Sequence, residues 1–111
     1  MDKILHIADE LTEAFVNCDV CREYISIKQR LDDNPELKGM LERFYKESLD
    51  FELKRLGGGE PDFEEERRIS GQYADIWLSE DGRRFMEIKN ALYRTLRTIY
   101  ETIEEKCALQ L

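Results

Sequence analysis

The stretch GRRFMEIKNALYRTLRTIYETIEEKC, residues 82–107, decides the fold class. Within it Phe85, Ile88, Leu92, Leu96, Ile99, Ile103 and Cys107 follow one another at spacings of 3, 4, 4, 3, 4 and 4. Apolar side chains at those intervals line one face of an α-helix, whereas a half-buried strand alternates every second residue. The stripe repeats every 11 residues. At ~3.67 residues per turn it keeps nearly straight, with a slight right-handed drift in place of the left-handed wrap of a heptad coiled coil. Helical from Gly82 to Cys107, the segment is about 39 Å long at ~1.5 Å per residue. A globule of 111 residues has a radius of gyration of roughly 13 Å, equivalent to a sphere about 34 Å across. The helix is therefore expected to run the length of a protomer or beyond it.

The same period recurs upstream. Ile4, Ile7, Ala8, Leu11, Ala14 and Phe15 mark an amphipathic helix over Asp2–Phe15, with Asn17 ending it and Asp19 capping the next. Val20, Tyr24, Ile27 and Leu31 carry a second helix to the junction Asp32-Asp33-Asn34-Pro35. Asn34 can accept a backbone N–H as N-cap, and Pro35 suits the first helical position, where its missing N–H costs nothing. A third helix is expected from Pro35 to about Leu56, with Leu37, Met40, Leu41, Phe44, Leu49, Leu53 and Leu56 turned to the core and Gly39 weakening it slightly. Gly57-Gly58-Gly59 stops it, and Pro61 restarts a fourth that carries Ile69, Tyr73, Ile76 and Trp77 to about Leu78. Ser79-Glu80-Asp81-Gly82 is the last turn, capped by Ser79 or Asp81. No run reads as a strand. The fold expected is all-α: an antiparallel bundle of about five helices in one domain, residues 1–111, closed by the long C-terminal helix.

Hydrophobic residues make up 41% and charged residues 38% of the chain, against usual values of ~45–50% and ~25%. Wide solvated faces around a thin core follow from that balance, and a chain of this size buries only around two-thirds of its unfolded surface. Association with further chains is the expected remedy. The net charge of −8 repels phosphate backbones, so direct nucleic-acid binding is not expected. Nothing approaches the ~18 consecutive apolar residues of a membrane-spanning helix, and Met1-Asp2-Lys3-Ile4 lacks a signal-peptide pattern. Three cysteines, an odd number, fit a reducing compartment better than a disulfide framework. A cytoplasmic location is expected.

The chain offers little for catalysis. His6 points away from the face of Ile4, Ile7, Ala8 and Leu11, as a solvated histidine would. Glu60, Asp62, Glu64, Glu65 and Glu66 lack the order of a calcium loop and suit a helix N-terminus. Cys18-x-x-Cys21 supplies two ligands of the four that zinc or an iron–sulfur cluster requires. Cys107 with His6, or a second chain, would have to complete the set, while Cys107 already belongs to the apolar stripe. Buried, unreactive cysteines are the simpler expectation, and a metal or cluster carrier using Cys18 and Cys21 is the alternative. Phosphate-loop, nucleophile-elbow, zinc-protease and dinucleotide motifs are all missing from the sequence. Neither an enzyme nor a cofactor or small-molecule substrate is expected.

The order of features is itself specific: a short helix, Tyr24 and Lys28 before Leu31, the junction Asp33-Asn34-Pro35-Glu36, then Leu41 and Phe44 in a long helix. This resembles the YlbF/YmcA family of small bacterial proteins over nearly the whole chain. Trp77-Leu78 and the turn Ser79–Gly82 stand where members usually carry an Asn-Pro-type junction, so Asp81-Gly82 replaces a proline, and the chain ends at Leu111 without the longer tail of some members. The resemblance implies an oligomeric helical regulator or assembly factor. Certain members help control competence, sporulation and biofilm development, through a complex that influences an RNA-degrading endonuclease and can carry iron–sulfur clusters. The cysteines here are no evident match to the tail cysteines of that complex. Partners are therefore expected to be the protein itself and other proteins, through Leu49, Phe51, Leu53, Leu56, Phe63, Tyr73 and Trp77 around the glycine break.

Overall fold

The computed structural model describes residues 1–107, so the end at Leu111 lies outside the described residues. Five helices follow in order: α1 (Asp2–Val16), α2 (Asp19–Asp32), α3 (Pro35–Leu56), α4 (Phe63–Leu78) and α5 (Glu80–Lys106). Among the described residues there is no strand, and the all-α expectation holds. The junctions show why each helix begins where it does. Asn34 Oδ1 accepts the N–H of Leu37 at 3.2 Å, with Pro35 in the first turn. Ser79 Oγ accepts the N–H of Gly82 at 3.3 Å, so α5 starts two residues before Gly82.

Two caps differ from expectation. At α2 the capping position belongs to Cys18 and not to Asp19: its carbonyl accepts the N–H of Arg22, and its Sγ accepts the N–H of Cys21 at 3.4 Å. At α4 Pro61 does not open the helix. Asp62 does, because a carboxylate can accept the free N–H groups of a first turn, here those of Glu64 and Glu65 at 3.1 and 3.0 Å.

The chain divides into two compact units, Lys28–Arg84 and Met1–Ile27 together with the chain from Phe85 onward, and α2 and α5 each contribute to both. In the Lys28–Arg84 unit α3 and α4 form an antiparallel hairpin. Contacts pair early residues of one helix with late residues of the other, Phe44 with Tyr73, Glu47 with Arg68 and Gln72, and Lys54 with Glu65. Gly58, at φ 83°, makes the turn that α3 needs to stop. Leu31, Leu37, Leu41 and Ile76 are buried, and Ile76 completely so. Arg30 holds Asp81 at 3.0 Å, fastening the end of α2 to the start of α5 within this unit.

In the other unit Cys21, Ile27, Phe85, Met86, Ile88 and Leu92 are buried. Tyr24 packs on Phe85 with ring centroids 5.5 Å apart. Burial, and then the neighbouring Tyr93 and Cys21, push the Tyr24 phenol above its ordinary range. Helix α1 buries no residue: Phe15 is half-buried and the other residues of the helix are exposed.

Candidate interaction surfaces

The hairpin α3–α4 explains where its apolar residues go. At about 100° of rotation per residue, Phe44, Glu47, Phe51 and Lys54 share the side of α3 that meets α4. The interval of five between Phe44 and Leu49 breaks the helical period and rotates the stripe by roughly 140°. Leu49, Leu53 and Leu56 consequently project from the opposite side of α3. They are exposed, not turned to the core as their apolar character alone suggests.

The remaining expected contact residues are distributed around the same hairpin. Phe51 is half-buried beside a cleft of about 340 Å³ lined also by Lys54, Pro61, Asp62 and Glu65. Tyr73 and Trp77 stack at 5.7 Å with rings 16° from parallel, on an exposed flank of α4, and the Arg83 guanidinium lies 6.0 Å from the Trp77 ring. Phe63, at the first turn of α4, is largely exposed. The seven residues thus form at least two groupings, the outer leucines of α3 and the aromatic pair of α4.

Polar contacts stiffen the scaffold under these groups. Glu47 accepts from Gln72 Nε2 at 2.8 Å and from Arg68 Nε at 3.2 Å. The Gln72 hydrogen bond first, and then Arg68, hold the Glu47 carboxyl below the ordinary glutamate range. Glu65 is buried, 3.5 Å from Lys54 Nζ. The acidic run from Glu60 to Glu66 therefore acts as the start of a helix, with Asp62 capping and Glu64, Glu65 and Glu66 in the first turn.

His6 is exposed and lies 3.1 Å from Glu10. Cys18 and Cys21 are brought together at the start of α2, one half-buried and the other buried, but Cys107 is exposed at the end of α5 and does not share the burial expected of the cysteines. Among the described residues no group of three or more His, Cys, Asp or Glu side chains is arranged to hold a metal ion. No helix among them is long and apolar enough to cross a membrane.

Two further apolar faces lie outside the expected contact set. On α1, Ile4, Leu5, Ile7 and Leu11 are all exposed. On α5, Tyr93, Leu96 and Tyr100 are exposed along one flank, with Arg94 and Arg97 also exposed beside them. Helical spacing reveals that these stripes exist. Which of them the chain itself covers depends on helix order and tilt, which spacing does not encode.

Residues 4–107 match the family described as "Control of competence regulator ComK, YlbF/YmcA". The chain belongs to the YlbF/YmcA family. A curated relative, a UPF0342 protein of Caldicellulosiruptor saccharolyticus, is 26% identical over 110 residues, spanning 99% of this chain and 92% of its own length. No solved structure matches. The YlbF/YmcA name refers to regulation and to no reaction, in keeping with a surface whose notable features are apolar helix faces.

Proposed function

We propose that this chain is a non-catalytic regulatory or adaptor protein that associates with copies of itself and with other proteins, and so modulates bacterial development (competence, sporulation or biofilm formation) or RNA processing. Family membership supports the regulatory part. One observation supports the mode of action: α1 is amphipathic yet buries none of its residues. A helix of 15 residues is marginal in water by itself, since nucleation is costly and most helical stability in proteins comes from packing of the apolar face. Its N-cap position is occupied by Met1, which makes no side-chain capping bond, and its last turn has no basic residue. The stability that α1 lacks locally is supplied by a surface on another chain.

The exposed leucines of α3 and the Tyr73–Trp77 pair suit a second partner, because apolar and aromatic side chains dominate the cores of protein interfaces. Multi-angle light scattering on the full chain at micromolar concentration tests the self-association. A mass of two chains or more is expected. A strictly monomeric mass throughout that range contradicts it.

A further inference from the structure

We propose that Cys18 and Cys21 are a dithiol–disulfide switch: a low-molecular-weight disulfide closes them into an intrachain bond across the first turn of α2, and reduction reopens it. The bond lies within one chain and does not depend on the self-association proposed above.

Three observations point to it. First, the backbone sets the pair at bonding range. The Arg22 N–H donates to the Cys18 carbonyl at 3.0 Å, so the chain is already wound as a helix from Cys18 onward. On a helix, Cα atoms three residues apart are about 5 Å from each other, inside the window of roughly 4.4–6.8 Å that a disulfide needs. The Cys18 side chain is also turned toward its neighbour. Its Sγ lies 3.4 Å from the Cys21 backbone nitrogen, two bonds from Cys21 Cβ.

Second, the two sulfurs are unequally accessible. Cys18 is half-buried, whereas Cys21 is 8% exposed. An oxidant therefore meets Cys18 first, and Cys21 is sheltered from it but not from Cys18. Thiol–disulfide exchange uses such a pair, one thiolate to attack the incoming disulfide and another to resolve the mixed disulfide. The Cys18 thiolate displaces one thiolate from the small disulfide and is left bonded to the other half. The Cys21 thiolate then attacks Cys18 Sγ and releases that half. The two cysteine protons end on the two released thiolates, and the two electrons that the chain gives up reduce the small disulfide.

Third, the pair sits at a joint. Asn17 and Cys18 are the whole link between α1 and α2, and the Cys18 N–H donates to the Phe15 carbonyl at 3.1 Å. Closing the ring fixes the Cys18 side chain against α2 and stiffens the point from which α1 leaves. Two sulfurs suffice for this chemistry, whereas a zinc or cluster site asks for four ligands.

Titration with oxidised glutathione under native conditions tests the assignment in Cys107→Ser, which removes the exposed third thiol. Both remaining thiols are expected to disappear together, leaving a single-chain product lighter by two hydrogens. Its far-ultraviolet circular dichroism and denaturant midpoint should not fall below those of the reduced chain, because the bond fits the native turn. In the same background, Cys21→Ser should stop at the mixed disulfide on Cys18. Cys18→Ser keeps an oxygen at the cap and should react at least about tenfold more slowly, its remaining thiol being buried. If Cys107→Ser keeps both thiols in excess oxidant, halts at the mixed disulfide or links two chains through Cys18, the proposal is overturned. A midpoint that drops on oxidation, which means that the bond strains the turn, overturns it too, as does Cys18→Ser reacting as fast as Cys21→Ser. The first titration alters neither cysteine of the pair, so it decides the matter even where a cysteine variant fails to fold.

Discussion

Ile76→Ala lowers the stability of the folded chain by about 2–5 kcal/mol, the range for removing a large aliphatic side chain from a packed interior. Ile76 has 0% of its surface exposed, and among the described residues no other side chain is so completely covered. Three carbons leave a site that has no solvent side from which to collapse, so the lost transfer energy is augmented by a cavity. Small domains are stable by only about 5–15 kcal/mol, so the change is a large fraction of the whole. Denaturant unfolding followed by circular dichroism measures it. The midpoint should fall with little change in slope, as expected when stability and not compactness is altered. A loss below about 1 kcal/mol would mean that Ile76 is not packed as described.

Gly82→Ala has an effect of opposite sign to that expected from its helix. Glycine in a helix interior is about 1 kcal/mol worse than alanine, so the substitution ordinarily stabilises. Here an added Cβ lies 2.6 Å from the Ile76 carbonyl oxygen, 2.9 Å from Ile76 Cγ2 and 3.3 Å from Leu37 Cδ1. A backbone oxygen cannot turn aside as a side chain does. The start of α5 has to move away from the end of α4, and overpacking of this kind costs about 1–3 kcal/mol. Because both substitutions act at one contact, they should not be additive. In the double variant the Cγ2 clash is gone while the carbonyl clash remains, so Gly82→Ala should cost less in the Ile76→Ala background. Thermal or denaturant unfolding of the four chains measures this, and a stabilising Gly82→Ala would contradict the close approach.

Gly82 also shows how far residue types can be read without coordinates. In the sequence it is one more turn glycine after Ser79 and Asp81, and nothing local announces that Ile76 and Leu37 close over it. The helices themselves were legible because their signals are local: the 3.6-residue period, Asn34-Pro35 as cap and first turn, and the triple glycine as stop. Cys18 takes the cap expected of Asp19, and Asp62 and not Pro61 opens α4, because capping depends on which side chain reaches the free N–H groups, a matter of one or two residues.

The candidate surface was legible only in part. Leu49, Leu53 and Leu56 are exposed and share a face, as a contact surface requires, but their description as core residues failed on the five-residue step after Phe44. That step is visible in the sequence and is the signal that separates the two sides of α3. The faces of α1 and of the distal part of α5 gave no comparable signal. Their stripes have the same period as the buried portion of α5, where Phe85, Ile88 and Leu92 are covered and Leu96 and Ile103 are not. Burial there is decided by what packs alongside, and one chain's periodicity contains no record of its neighbours.

The most direct test of whether another chain covers α1 is amide hydrogen exchange of residues 2–16, followed as a function of protein concentration. Exchange reports local opening, and a helix with no buried side chain opens readily unless a partner holds it. Protection of α1 should rise with concentration in step with the two-chain mass, while the amides around Ile76 stay protected throughout. Protection of α1 that is already complete where the chain is monomeric, or that never appears where it is dimeric, would contradict the account.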